Sequence, residues 1–399
     1  VTRGSASVGL MIADPFSVPL ERLRRRTSAK WRHYEPDVLP LWVAEMDVDL
    51  ADPIREALEE AVREGDMGYA GSTPYVAAFA DFARRSWGWD VDEARVSPVA
   101  SVIQGYVDAL VELTDAGGEI IVNPPVYPPF FLYLRQAERE IREAPLGADL
   151  RLDLDAIERA MAEATSGGRR AAYLLCSPHN PGGTVHTREE LTALAELSHR
   201  YGVPVVSDEI HAPIVFPGAE FVPYLEVDPA GLALHAASKA WNLAAIPAAV
   251  LVGGPDAAGL DAYRSGKHHG PTQLGVIAQT AAYAHGGEWL EAMLAGLDRN
   301  RMLVRDLVAE HLPGVGYTVP EGTYLTWLDF GDMLGDEPAY ALIDHGRVAL
   351  NNGPYFGTGG AGHARLNIAT SPEILEEAVH RIATGIARAQ DAGLSQVSV

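Results

Sequence analysis

Val203-Pro204-Val205-Val206-Ser207-Asp208-Glu209-Ile210-His211 is the stretch on which the fold turns, a short apolar run that ends in an acid. Such a run predicts a buried strand, and a charged residue just past it falls in the crevice where open sheets hold ligands. Working outward, Ser177-Pro178-His179-Asn180-Pro181-Gly182-Gly183 follows another apolar run, and Ala236-Ala237-Ser238-Lys239-Ala240-Trp241-Asn242 follows a third. Lys239 lies 31 residues after Asp208 and 59 after Asn180. Three strand ends therefore offer an amide, an acid and an amine. Pyridoxal phosphate requires that set: an amine for its aldehyde carbon, an anion for its ring nitrogen and an amide for its phenolic oxygen.

Between residues 45 and 285 short apolar runs alternate with segments of helical period, the mark of strand-helix crossovers and an α/β fold with a mostly parallel central sheet. Strands are expected at 119–122, 171–175, 204–207, 232–236 and 248–252, and helices at 54–63, 73–86, 101–114, 187–200 and 272–285. Thr187-Arg188-Glu189-Glu190 has the acidic residues of a capped first turn. After a helix at 288–312 come apolar runs at 324–330, 348–350 and 364–368 and a closing helix at 372–389, which read as a smaller α+β domain. The expected division is a large domain over 45–285 and a small one from 13–44 with 286–399. The Pro313-Gly314 and 357–362 glycine clusters read as turns, since neither sits between a strand and a helix at phosphate-loop spacing.

With 399 residues, 47% of them hydrophobic and 21% charged, the chain has the composition of an ordinary globular protein with ample core. A formal net charge of -23 repels phosphate backbones and anionic lipid, so neither nucleic acid nor a membrane surface is an expected partner. Arg22-Leu23-Arg24-Arg25-Arg26 is the densest basic run and reads as a solvated helix face. Cys176 is the lone cysteine, so no intrachain disulfide can form, and its apolar surroundings suit a structural thiol. No stretch is long and apolar enough for a bilayer span, and the opening residues lack the regions of a signal peptide, which gives a cytoplasmic expectation. Residues 1–12 read as a mobile extension.

Single residues carry competing readings. Asp208 suits either a helix cap or the partner of a pyridine nitrogen, and its i, i+3 pairing with His211 lacks the further ligands of a metal site. His211 then serves packing or support. Lys239, between apolar neighbours and Trp241, is placed for a lowered pKa and for Schiff-base chemistry. Ser238 and the helix N-terminus at Ser101, Val102 and Ile103 suit a phosphate dianion, where free amides and the helix dipole converge. Tyr127 is an aromatic for the ring face or for the core. Arg365, in the apolar run Ala364-Arg365-Leu366-Asn367-Ile368, suits a bidentate grip on a substrate carboxylate, with a structural salt bridge as the competing account.

With these residues in hand, the chain resembles the aminotransferase-fold (fold type I) pyridoxal-phosphate enzymes, and within them the cystathionine β-lyase-like carbon-sulfur lyases. The marks are Thr27-Ser28-Ala29-Lys30-Trp31, residues 39–47 (LPLWVAEMD), Gly68-Tyr69 with Gly71-Ser72-Thr73-Pro74, residues 125–130 (PVYPPF), Ser207-Asp208-Glu209-Ile210-His211 and Gly322-Thr323-Tyr324-Leu325. The resemblance spans about residues 25 to 390. It implies that Lys239 bonds the cofactor, Asp208 pairs with the ring nitrogen, Asn180 holds the phenolic oxygen and Tyr127 stacks on the ring. It also implies that Ser238 and the amides at Ser101, Val102 and Ile103 hold the phosphate, Arg365 the substrate carboxylate, and that the backbone near Ala44 closes over the substrate. Tyr69 is expected to reach the cofactor of a neighbouring subunit in a two-fold homodimer, and the Asn180-Pro181 bond is expected to be cis. His211 stands where many aminotransferases place a tyrosine, as in the lyase group. Departures are Ala236 for a phosphate-binding hydroxyl, Gly182 for a threonine, and Ala245 and Pro247 after the lysine.

The activity so implied is β-elimination from an S-substituted cysteine such as cystathionine, giving a thiol, pyruvate and ammonia. The rivals are an aminotransferase or a biosynthetic enzyme acting on an amino-acid conjugate. A cofactor-sensing regulator lacks its DNA-binding segment here, and a nicotinamide dehydrogenase lacks its Gly-x-Gly-x-x-Gly.

Overall fold

The computed structural model describes residues 14–71, 73–265 and 268–393; the opening segment 1–12 and Ser72 of the Gly71-Ser72-Thr73-Pro74 motif lie outside the described residues. A seven-stranded sheet is ordered Val96–Val99, Ala249–Gly253, Leu232–His235, Val205–Asp208, Ala172–Cys176, Glu119–Val122 and Glu140–Glu143. Ala249–Gly253 runs antiparallel to both neighbours and the remaining pairs are parallel. The five strands expected from the apolar runs occupy the middle of this order. Both edges were missed, for a physical reason. An edge strand has one unpaired side and tolerates proline and charge: Val96–Val99 contains Pro98, and Glu140–Glu143 carries Arg142, which pairs with Glu119 and Glu163.

Alternate residues of the central strands go to opposite cores, since a strand turns successive side chains to opposite faces. Ile120, Val122, Leu174 and Val206 pack in one cluster with the helices Val102–Leu113, Pro129–Gln136 and Ala258–Ser265. Ile121, Tyr173, Leu175 and Val205 pack in the other, with Thr73–Trp87, Leu154–Thr165 and Arg188–Tyr201. Covering both faces is what parallel strands require, because their crossovers place helices there. Arg188–Tyr201 begins with a full capping box, in which the Thr187 hydroxyl accepts from the Glu190 amide and the Glu190 side chain accepts from the Thr187 amide.

A second, antiparallel sheet is ordered Asn351–Asn352, His363–Asn367, Leu325–Asp329, Gly316–Tyr317. Pro338–Gly346 and the closing helix Pro372–Asp391 pack on each other beside it, and Gly287–His311 leads into it from the large sheet. Leu39–Pro40 pairs in parallel with Val348–Ala349, which delivers residues 42–46 to the ends of the central strands. No helix among the described residues is long and apolar enough to cross a membrane.

Candidate active site

The central strands stop together, and past their ends lies a cavity of about 240 Å³. Its wall includes Ser101, Val102, Ile103, Tyr127, Asn180, Asp208, His211, Ser238 and Lys239, so nine side chains singled out on sequence grounds meet in one space. Arg365 and Ala44 adjoin it through hydrogen bonds to Asn180 and Lys239. Tyr69 does not reach it within this chain; it lies fully exposed on the surface.

One end of the cavity is built for an anion. Ser101 caps the helix Val102–Leu113, its hydroxyl accepting from the Gln104 amide at 3.1 Å, which leaves the first-turn amides of Val102 and Ile103 at the cavity wall. The helix can sit this close to the sheet because residue 105 is glycine, where a Cβ would stand 2.2 Å from Leu234 Cδ2.

Asp208 ends its strand in register with Cys176 and Leu234. Burial pushes its carboxyl up to about 7; the nearby charge of Glu209 adds to this, while the Ile210 amide it accepts from at 3.2 Å and the charge of Lys239 oppose it. Lys239 reaches the cavity from the turn after Leu232–His235, and its amine donates to the Ala44 carbonyl at 3.3 Å. The amine faces the cavity yet is enclosed by protein. Burial, with Arg365 adding, pulls it down to about 8, against the charges of Asp208 and Glu45. An amine at that value is about one-tenth neutral at pH 7, far more than a solvated lysine.

Arg365 distinguishes between its two sequence readings. Among the described residues it has no carboxylate partner; Nη1 donates to Asn180 Oδ1 at 3.0 Å, Nη2 to the Trp42 carbonyl at 3.0 Å, and Nε is buried without a partner. The guanidinium stands over the Phe356 ring at 5.1 Å, and burial lowers it to about 10. A buried guanidinium that the protein leaves without a carboxylate suits an anionic ligand. Its bond to Asn180 also leaves the Asn180 Nδ2 hydrogens for the cavity. The Asn180-Pro181 bond is cis, as expected. A Cβ at Gly182 would stand 2.7 Å from Leu150 Cδ1, the end of a half-buried side chain.

His211 lines the cavity edge-on to Tyr324, with Nδ1 buried and unpartnered, and burial holds its ring far below the ordinary imidazole value and so neutral. Burial raises the Tyr127 phenol to about 12, keeping it neutral.

Sequence reasoning missed the residues that fasten the strap over the cavity. Tyr324 donates to the Ala44 carbonyl at 3.1 Å, Asn367 to the carbonyls of Val43 and Glu45 at 2.8 and 2.7 Å, and Asn242 exchanges two hydrogen bonds with the Met46 backbone. Asn367 was within reach, because it lies two residues from Arg365 on the same strand and therefore on the same face. Two of the sequence motifs turn out to grip each other beneath this strap. Ser28 donates to the Glu45 carboxylate at 2.6 Å, Trp31 Nε1 to Asp47 at 3.2 Å, and Lys30 pairs with Asp47 at 2.7 Å with both side chains buried. Removing one partner of a buried pair strands the other, so Asp47→Ala is expected to lower unfolding stability by about 3–5 kcal/mol in denaturant titration.

The groups present fit pyridoxal phosphate: a glycine-enabled cradle of amides with Ser238 at one end, a buried carboxyl that has no ion-pair partner among the described residues, an amide whose oxygen is already occupied, and a lysine of lowered pKa. The profile of the family described as aminotransferase class I and II matches residues 37–382. The chain belongs to that family. Among its relatives in the aminotransferase family, a Mycobacterium leprae protein is 49% identical over 395 residues, covering 93% of this chain and 98% of the relative. The cystathionine beta-lyase of Corynebacterium glutamicum is 35% identical over 375 residues, covering 92% of this chain and 98% of that enzyme. The crystal structure of cystalysin from Treponema denticola, which contains pyridoxal 5'-phosphate, superposes with a TM-score of 0.84 at 26% identity, covering 92% of this chain and 97% of cystalysin.

Proposed function

We propose that this chain is a pyridoxal-phosphate-dependent carbon-sulfur β-lyase, converting an S-substituted cysteine such as cystathionine, with one water, into a thiol, pyruvate and ammonia. The observation that carries the reading is a buried, anion-free Arg365 beside a low-pKa Lys239 and a buried Asp208. Likeness to a cystathionine beta-lyase along nearly the whole chain supports elimination over amino transfer.

When bound, pyridoxal phosphate supplies an electron sink for negative charge developing at the substrate α-carbon. Asp208 would give the ring nitrogen a fixed anion, Asn180 would donate to the phenolic oxygen, and Tyr127 would offer an aromatic surface to the ring. Ser238 and the amides of Val102 and Ile103, on the helix that Ser101 caps, hold the phosphate. Arg365 fixes the substrate carboxylate and so the direction of the bond to be broken. Lys239, partly neutral near pH 7, takes the α-proton. The strap at Ala44 roofs the cavity and limits water.

Arg365→Lys keeps the charge and loses the planar fork, so KM for cystathionine is expected to rise about 10- to 100-fold with a smaller change in kcat, read from initial rates. The class of reaction is tested by incubation with cystathionine alone: pyruvate released without any added 2-oxo acid supports the lyase, and strict dependence on a 2-oxo acid refutes it.

The division into a 45–285 domain and a 13–44 plus 286–399 domain remains part of this reading, with Arg365 from the second reaching the cavity of the first. So does a cytoplasmic homodimer in which Tyr69 reaches the partner's cofactor. Its full exposure, near exposed Met67 and Val62, supports that role.

A further inference from the structure

Gln279 lies fully buried in the helix Gln273–His285, where every hydrogen-bonding position of its amide is used. Its Oε1 accepts from the Ala237 amide and from the Tyr75 hydroxyl, both at 2.9 Å. Its Nε2 donates to the Ala248 carbonyl at 2.6 Å and to Ser238 Oγ at 3.2 Å. The orientation of the side chain is not arbitrary. A backbone N–H can only donate and a backbone carbonyl can only accept, so turning the amide over would set donor against donor at Ala237 and acceptor against acceptor at Ala248.

That fixed orientation has a consequence at Ser238. Because Nε2 donates to it, one lone pair of Oγ is occupied from behind, and its own proton must leave in another direction. No acceptor for that proton exists among the described residues, and Ser238 lines the cavity. A hydroxyl held in this way has one lone pair taken and its proton uncommitted, so it is left ready to donate to an acceptor-only group in front of it.

We propose that Gln279 is a positioning residue that orients the Ser238 hydroxyl, holding Oγ by one lone pair so that its proton is kept for the phosphate of the cofactor. The inference rests on the pyridoxal-phosphate reading above, and not on which substrate the enzyme takes. Gln279 touches neither cofactor nor substrate. It acts through Ser238, and its bond to Tyr75 ties that hydroxyl to the helix Thr73–Trp87, which follows the segment carrying Tyr69.

The test compares two probes on cofactor-stripped protein, pyridoxal phosphate and phosphate-free pyridoxal, by fluorescence titration. In the unaltered chain the preference for the phosphorylated form should be large. Gln279→Met, which matches the length but can neither donate nor accept in this network, should cut that preference about tenfold, the size of one hydrogen bond to a charged group. Ser238→Ala should cut it by a similar factor, and combining the two should cost little more than either alone. Equal weakening of both probes by Gln279→Met, or factors that multiply in the double variant, would overturn the proposal by showing a general structural role. Should Gln279→Met fail to fold, Gln279→Glu takes its place, since a carboxylate there would accept the Ser238 proton, and an unchanged preference in that variant sinks the proposal. A natural chain that binds neither probe would instead bring down the cofactor reading, and this inference with it.

Discussion

Lys239→Ala is expected to leave a folded protein whose cystathionine turnover is at least about 10³-fold lower, because one amine serves both as the cofactor's anchor and as the acceptor of the α-proton. The side chain is not a major stabilising element: its amine makes a single 3.3 Å bond, to the Ala44 carbonyl, and burial lowers its pKa to about 8 from an ordinary 10.5. Below that ordinary value the folded state holds the proton less readily than the unfolded chain. The lysine's contribution to stability is therefore present at high pH and is lost as pH falls from about 10.5 to about 8. Near pH 7 the variant should melt no lower than the natural chain. Borohydride treatment of protein incubated with pyridoxal phosphate checks the chemistry separately, since it should bleach the yellow colour and leave the pyridoxyl group attached to the denatured natural chain and not to the variant. A label retained equally by both would refute the assignment.

Asp208→Asn should separate stability from activity more sharply. Burial raises this carboxyl to about 7 from an ordinary 3.8, so the folded cofactor-free chain binds its proton more tightly than the unfolded chain does. Native stability is then lost as pH rises from about 4 to about 7, and above pH 7 the full cost of a buried unpaired carboxylate is present, on the order of 2–4 kcal/mol. Asparagine carries no such cost and retains an oxygen for the Ile210 amide. Thermal melts of the cofactor-free proteins should therefore coincide near pH 4 and favour the variant at pH 8. Turnover should move the opposite way, by about 10²- to 10³-fold, because the ring nitrogen loses the preorganised anion opposite it. A variant that is both less stable at pH 8 and fully active would contradict the role given to Asp208.

The strands that carry the chemistry were legible because they are buried on both faces and read as uninterrupted apolar runs, from Glu119–Val122 to Ala249–Gly253. The edges were not, since Pro98 and the charged 140–143 segment break every pattern that burial would impose. The short helix Pro129–Gln136, which opens on a pair of prolines, and the amphipathic helix Leu154–Thr165 are not among the expected elements. In the site, residues whose chemistry is costly in an apolar run announced themselves: Asp208, Lys239 and Arg365. Tyr324, Asn367 and Gln279 did not, because each acts by holding a backbone group or another side chain, and a strand end brought close only by folding leaves no local trace. Gln279 had a faint signal as an amide within the mostly apolar run Val276-Ile277-Ala278-Gln279.

The rims of the large sheet bear on how this protein behaves in a crowded solution. Pro98 withholds a backbone donor along one border, and the Arg142 cluster with Glu119 and Glu163 guards the other. A stray extended peptide finds no clean ladder on either border to dock against. Self-association of the native fold must then run through side-chain surfaces, and turbidity on warming should lag the loss of the native fold instead of preceding it.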